Sequence, residues 1–252
     1  MPVMLRQFLL AIQFLTRLPV PGQLATTQEE LGRAAVFFPL VGTIVGGGAA
    51  AVFILTNRVA PLSAAVLLAL GFATFLTNAF HEDGLADTFD GLGGGWTRDR
   101  ALEIMRDSRI GTYGSVALIF LILGKYTFLT ALDSRQIWRW LIVAHTASRW
   151  TVLPLCMWLP YARAEGQGKL VAKQIGFPAL LIGGVIFLLI LLLLPWRLAI
   201  ITFAVTAAVV LFSGLYFKRR LGGITGDCLG AANQITEVAL YLTALLLARY
   251  SS

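Results

Sequence analysis

Residues 81–114 read HEDGLADTFDGLGGGWTRDRALEIMRDSRIGTYG and lie between long apolar runs. This stretch holds seven of the chain's thirteen carboxylates: Glu82, Asp83, Asp87, Asp90, Asp99, Glu103 and Asp107. It also holds Arg98, Arg100, Arg106 and Arg109, together with the glycine cluster Gly91, Gly93, Gly94 and Gly95. Charge this dense beside membrane-length hydrophobic segments points to a reaction centre at a membrane surface.

The rest of the chain supplies the membrane part. Of 252 residues, 58% are hydrophobic and only 13% charged, with a mean hydropathy of +0.79. A globular domain carries roughly 25% charged residues, so a soluble protein is excluded. A helix needs about 20 apolar residues to cross the hydrocarbon core. Seven segments are expected to do so: 34–55, 59–80, 113–132, 137–159, 178–195, 198–217 and 231–249. Residues 5–18 place Leu5, Phe8, Leu9, Ile12 and Leu15 on one helical stripe, too short to span, and read as an amphipathic helix in the interface. Backbone polar groups in lipid must be satisfied within the segment. The expected fold is therefore all-α: a polytopic integral membrane bundle of about seven spans plus that interfacial helix. It forms a single membrane domain over 1–252, with 1–33 an interfacial N-terminal segment and 81–112 a cytoplasmic catalytic loop.

The net charge of +7 does not indicate a nucleic acid partner, because the basic residues sit in short loops where orientation bias and lipid headgroups account for them. With the N-terminus in the cytoplasm, that side carries Arg6, Arg17, Arg33, Arg98, Arg100, Arg106, Arg109, Arg163, Lys169, Lys173, Lys218, Arg219 and Arg220. The opposite side carries Arg58, Arg135, Arg139, Arg197 and Arg249. Thirteen against five is a positive-inside signal. It puts the active loops on the cytoplasmic face of the membrane. Cys156 and Cys228 lie far apart without metal-ligand spacing, so they read as reduced thiols. No cleavable signal sequence is evident near the start.

Within the opening stretch, Asp83, Asp87 and Asp90 are spaced i, i+4, i+7 and share one face of a helix. Three carboxylates on one stripe repel unless a cation lies among them, and oxygen ligands suit a hard ion such as Mg²⁺. The competing reading is a solvated acidic helix start. Glu82 falls off the stripe and is a weaker ligand candidate. Gly93 and Gly94 could offer backbone N–H groups to a phosphate, or simply form a connection. Arg106 and Arg109 have guanidinium forks suited to phosphate oxygens, with positive-inside anchoring as the alternative. Thr97–Arg106 reads as a short interfacial helix capped by Thr97. Lys125 and Arg149 fall near the middles of their spans, where charges are costly and are functional candidates, or pair with an acid to hold helices together. His81 could act as a base or serve structurally. Arg163 joins the candidate phosphate ligands. Asp227, in the turn GGITGD, could complete the ion site from far along the chain, and Glu237 lies deeper in the same helix.

HEDGLADTFDGLGGG, IMRDSRIGTYG and GGITGDCLGA together resemble the cobalamin synthase family, adenosylcobinamide-GDP ribazoletransferase. FLTRLPVP (Phe14–Pro21) and FFPLVG (Phe37–Gly42) are similar to that family too. The resemblance implies an integral membrane transferase of cobalamin biosynthesis with Mg²⁺ as cofactor. Its substrates would be adenosylcobinamide-GDP and α-ribazole or α-ribazole 5′-phosphate, giving adenosylcobalamin or its 5′-phosphate and GMP. Asp83, Asp87 and Asp90 match the acidic motif and Asp227 the late Gly-Asp. Gln234 stands where GDxLGAxxExxE would place an acid, while Glu237 keeps the final one. Membrane lipid is an implied neighbour, and a homo-oligomer is compatible with this class.

Two rival readings start from the same residues. A CDP-alcohol phosphotransferase also uses membrane-helix aspartates, but its motif places an arginine where this chain has Asp87 after Ala86. An ion-coupled transporter would bury its acids at mid-membrane and show an internal repeat, and neither is seen in the sequence.

Overall fold

The computed structural model describes residues 1–22, 24, 27–163 and 175–248, and all its regular elements are helices apart from one isolated β-bridge. The order is α1 (Val3–Leu15), α2 (Gln28–Ala34), a 3-10 turn (Ala35–Phe37), α3 (Phe38–Thr56), α4 (Leu62–Leu76), α5 (Phe80–Gly94) and α6 (Arg98–Ile104). Then come α7 (Thr112–Thr130), α8 (Ser134–Trp150), α9 (Val152–Trp158), α10 (Phe177–Leu191), α11 (Trp196–Leu221) and α12 (Gly226–Ala248).

Each expected span contains a helix, but the count of seven is not reproduced. Four helical runs among the described residues are long and apolar enough to cross a membrane: Glu29–Thr56, Thr112–Thr130, Trp196–Leu221 and Gly226–Ala248. A fifth arises only if α4 and α5 are taken as one broken span. The shortfall has plain causes. The 15 residues of α4 extend about 22 Å at 1.5 Å per residue, short of the roughly 30 Å hydrocarbon core; α10, also 15 residues, has the same limit. Helix α8 carries Arg135, Arg139, His145 and Arg149, and the chain breaks at Thr151 before α9.

The stretch expected as a catalytic loop is itself mostly helical. Helix α4 stops at Leu76, and α5 leaves it at 85°. Asn78 and Ala79 make that corner with φ of 57° and 53°, a left-handed conformation that costs a non-glycine residue roughly 1–2 kcal/mol. Arg17 braces it: its backbone N–H donates to the Leu76 carbonyl at 2.8 Å and its guanidinium to Asn78 Oδ1. The segment just after α1 thus bears on where α5 starts. Helix α1 itself, two residues earlier than expected, buries Leu10, Ala11, Ile12 and Leu15, and Arg6 pairs with Glu30 at the capping box of α2.

The packing centre is α3 on α8. Gly42 and Gly46 lie one turn apart on α3, and a Cβ at Gly42 would come within 2.2 Å of the His145 carbonyl oxygen, one at Gly46 within 2.6 Å of that of Leu141. Small residues at this spacing let backbones approach closely where lipid offers no hydrophobic drive for helix association. The crossing fixes the half of α8 that carries His145 and Arg149. We expect Gly42→Leu to abolish monodisperse, folded protein in size-exclusion chromatography, because backbone rather than a flexible side chain blocks the space; Gly47→Leu, which meets nothing within 4 Å, should elute as the parent does.

Candidate functional site

The acidic stripe meets the late Gly-Asp where α5 crosses the start of α12. Gly84 and Gly230 touch there: a Cβ at Gly84 would lie 3.0 Å from the Asp227 carbonyl oxygen and 3.3 Å from Gly230 Cα, and one at Gly230 3.2 Å from Gly84 Cα. Because neither residue has a side chain, Asp227 is drawn against the face of α5 that bears Asp83 and Asp87. Asp87 lies within electrostatic reach of Asp83, Asp227 and Asp90, and of the compensating Arg163. Asp83 is exposed and Asp87 half-buried, and neither carboxylate has a hydrogen-bond partner among the described residues.

Asp227 is held from one side only. Its Oδ2 accepts from Arg163 Nη2 at 2.7 Å and from Thr225 Oγ1 at 3.3 Å. Arg163 arrives there because residues 160–162 pair with the turn before α12: the Ala162 N–H donates to the Ile224 carbonyl at 2.7 Å, and the Ile224 N–H to the Pro160 carbonyl at 2.9 Å. Arg98, at the start of α6, donates to the carbonyls of Leu221 (2.8 Å) and Ala162 (2.6 Å). Arg220 answers by donating to Leu92 and Gly95 at the end of α5. These two arginines tie together the segments that charge counting had placed on one face. Sequence reading gave neither this role.

Other sequence candidates fall elsewhere. Asp90 is buried, and its two oxygens accept from the backbone N–H groups of Gly111 (2.7 Å) and Gly114 (2.9 Å), so it caps α7 from outside. Glu82 accepts from Thr74 on α4, off the stripe as expected. Gly93 and Gly94 belong to the last turn of α5, with Gly93 beneath the Tyr113 ring. Arg106 is exposed with no partner among the described residues. Arg109 closes on Asp107 at 2.6 Å, and hydrogen bonds from its guanidinium hold that carboxyl down to about 2. Thr97 caps α6 as expected, accepting from the Arg100 N–H at 3.3 Å. Lys169 and Lys173, counted on the cytoplasmic side, lie outside the described residues, as does Arg249.

The intramembrane charges converge on one residue. Glu237 is fully buried; its Oε2 accepts from Lys125 at 2.6 Å, and its Oε1 faces His145 Nδ1 at 2.9 Å, Ser148 Oγ at 3.2 Å and the Arg149 guanidinium. Gln234 Oε1 accepts from the same Lys125 ammonium. This is the acid-pairing alternative for Lys125 and Arg149, and it joins α7, α8 and α12. The sequence held a signal for it, since Glu237 is the only acid within the last apolar run. Arg149 nonetheless also borders the cavity that contains His81, Arg163 and Asp227.

Among the described residues no group of three or more His, Cys, Asp or Glu side chains is placed to hold a metal ion by itself. Mg²⁺ is usually held by one or two carboxylates plus substrate phosphates. Asp83 and Asp87, which lack partners, and the unpartnered Oδ1 of Asp227 fit that mode. Asp90, committed to α7, does not.

The profile of the family described as cobalamin-5-phosphate synthase matches residues 7–245. The chain belongs to that family. Among curated relatives, the "Adenosylcobinamide-GDP ribazoletransferase" of Ralstonia nicotianae is 43% identical over 249 residues, covering 96% of this chain and 95% of its own. That of Shewanella amazonensis is 42% identical over 252 residues, with 96% of each chain covered. The Vibrio cholerae protein of the same name is 40% identical over 244 residues, with 96% and 94% covered. No solved structure matches. The chain is therefore a membrane-embedded transferase of cobalamin biosynthesis.

Gln234 is neutral, so the cluster of Lys125, Arg149 and Glu237 has one formal anion for two cations. Glu237→Gln should then leave both cations buried without an anion, a loss of about 3–5 kcal/mol by analogy with broken buried pairs. Thermal unfolding in lipid nanodiscs will read this; an unchanged midpoint would mean that Glu237 is not their counterion.

Proposed function

We propose that the protein joins adenosylcobinamide-GDP to α-ribazole or α-ribazole 5′-phosphate, releasing GMP and forming adenosylcobalamin or its 5′-phosphate, with Mg²⁺ as cofactor. The observation that carries this reading is the glycine crossing, which sets Asp83 and Asp87 beside Asp227 and Arg163. The relatives' names supply the donor. The acceptor and metal come from the chemistry of the donor set together with the family resemblance.

A ribose hydroxyl oxygen of the acceptor bonds to the cobinamide-side phosphorus as the bond from that phosphorus to the GMP oxygen breaks. Mg²⁺, when bound by Asp83, Asp87 and Asp227 with the pyrophosphate, supplies charge neutralisation for the leaving phosphate. Arg163 is anchored by Asp227 and keeps donors for phosphoryl oxygens, which it orients as negative charge develops. His81 is buried, and its Nδ1 has no partner among the described residues; it takes the hydroxyl proton. Arg106, exposed beside the end of α6, attracts anionic substrate from bulk water. The active segments face the cytoplasm of a bacterial inner membrane, as the thirteen-to-five basic asymmetry supports.

Purified protein in nanodiscs should release GMP from adenosylcobinamide-GDP only when α-ribazole and Mg²⁺ are both present. Release that ignores the acceptor would contradict the reading. Asp83→Asn and Asp87→Asn should each lower kcat by a factor of about 10³ or more, the scale of removing a transition-state electrostatic contact, with unfolding midpoints unchanged. Asp90→Asn should instead lower stability through the loss of the α7 cap, by about 1 kcal/mol, seen as a lower unfolding midpoint. The reverse pattern would return Asp90 to the metal.

A further inference from the structure

Beside Asp227, between α1, α3, α5, α9 and α12, lies a cavity of about 310 Å³. One side is aromatic and apolar. Phe14 and Phe38 stack with centroids 5.9 Å apart and planes 17° from parallel, and Phe80 meets Phe14 edge-on at 5.4 Å. Cys156 of α9 continues this wall. These phenylalanines come from the stretches Phe14–Pro21 and Phe37–Gly42 and from the start of α5, and the phosphoryl chemistry gives Phe14 and Phe38 nothing to do.

The other side is polar. His81, Arg149, Arg163 and Asp227 line it. Among them His81 Nδ1, Arg149 Nε and Arg163 Nε have no hydrogen-bond partner among the described residues. A guanidinium Nε–H only donates, and the one carboxylate, Asp227, is engaged by Arg163 through Oδ2 and keeps Oδ1 without a partner among the described residues. The cavity therefore suits a flat, mainly apolar ring whose few polar atoms lie toward the Asp227 end.

Resting on the reading under Proposed function, we infer that this cavity is the subsite for the heteroaromatic base of the nucleoside acceptor, with the ribose toward Asp227. The N-glycosylated benzimidazole of α-ribazole has one acceptor ring nitrogen and no N–H. Guanine carries several more polar edge atoms, which would lie unpaired against the Phe14, Phe38 and Phe80 wall. A corrin macrocycle exceeds a cavity at the lower end of the small-molecule range. Seating the base here carries the ribose hydroxyls to the carboxylate that crosses onto α5, so base recognition and phosphoryl transfer share Asp227 as their boundary.

The test uses Cys156→Phe, which fills the apolar wall from a helix outside the catalytic set. In nanodiscs, KM for α-ribazole should rise at least tenfold, while KM for adenosylcobinamide-GDP and kcat at saturating acceptor stay within twofold. An unchanged KM for α-ribazole, or a rise in that for adenosylcobinamide-GDP alone, overturns the inference. If the wild type itself fails to turn over, the reaction assignment fails instead. A second measurement depends neither on turnover nor on the variant's folding: an azido-benzimidazole riboside photolabels wild-type protein, and its adducts are mapped by mass spectrometry. Adducts at Phe14, Phe38, Phe80 or His81, or within residues 150–163 or 226–230, suppressed by α-ribazole, support the subsite; adducts confined to residues outside these overturn it.

Discussion

The contact on which the site depends is the meeting of two residues without side chains. Gly84 and Gly230 allow α5 and the first turns of α12 to touch backbone to backbone. Everything chemical then follows from what stands next to those glycines. Asp83 precedes Gly84, Asp87 lies one turn beyond Gly84 but on its neighbouring face, and Asp227 precedes Gly230 by three residues. A methyl group at either glycine would force the two acidic segments to give by a few tenths of an ångström. The chain's two most distant motifs become one site because the backbone can approach, not because their side chains attract; carboxylates brought together repel, which is why a cation and Arg163 have a place there.

A second constraint works behind the first. Lys125, His145 and Arg149 project into a region where an uncompensated charge costs several kcal/mol, and Glu237 meets all three. Two turns of α12 beyond Gly230, this residue locks α12 to α7 and α8, and α8 is itself seated on α3 through Gly42 and Gly46. Asp227 and Glu237 are therefore opposite ends of one rigid stretch: one faces substrate, the other fixes the stretch in the bundle. Arg149, shared between the buried cluster and the cavity beside Asp227, links the two.

Much of this was legible in the residues. Long apolar runs announced helices, the i, i+4 spacing of Asp83 and Asp87 put both on one face, and the isolated acid of the last motif pointed to a distant ligand. What the pattern could not show were interactions that require a third dimension. Asp90 continues the periodicity of the stripe yet is consumed by the N–H groups of Gly111 and Gly114, because α7 starts beside it. Arg109 looked like a phosphate ligand and instead closes on Asp107 two residues away. The count of seven spans is not confirmed among the described residues, because hydropathy registers apolar content, while the turn at Asn78–Ala79 and the break at Thr151 depend on backbone conformation. The cavity beside Asp227 draws on five separated segments, and no local pattern records it.

The central claim is that carboxylates from α5 and α12 act as a single catalytic unit. A double-mutant cycle on GMP release tests it most directly, with Asp87→Asn, Asp227→Asn and the pair measured at saturating substrates and Mg²⁺. Residues that act as one unit are strongly non-additive, so the account predicts that the double variant is about as slow as the slower single variant. Losses that multiply, with the double variant slower by the product of the two single effects, would contradict it.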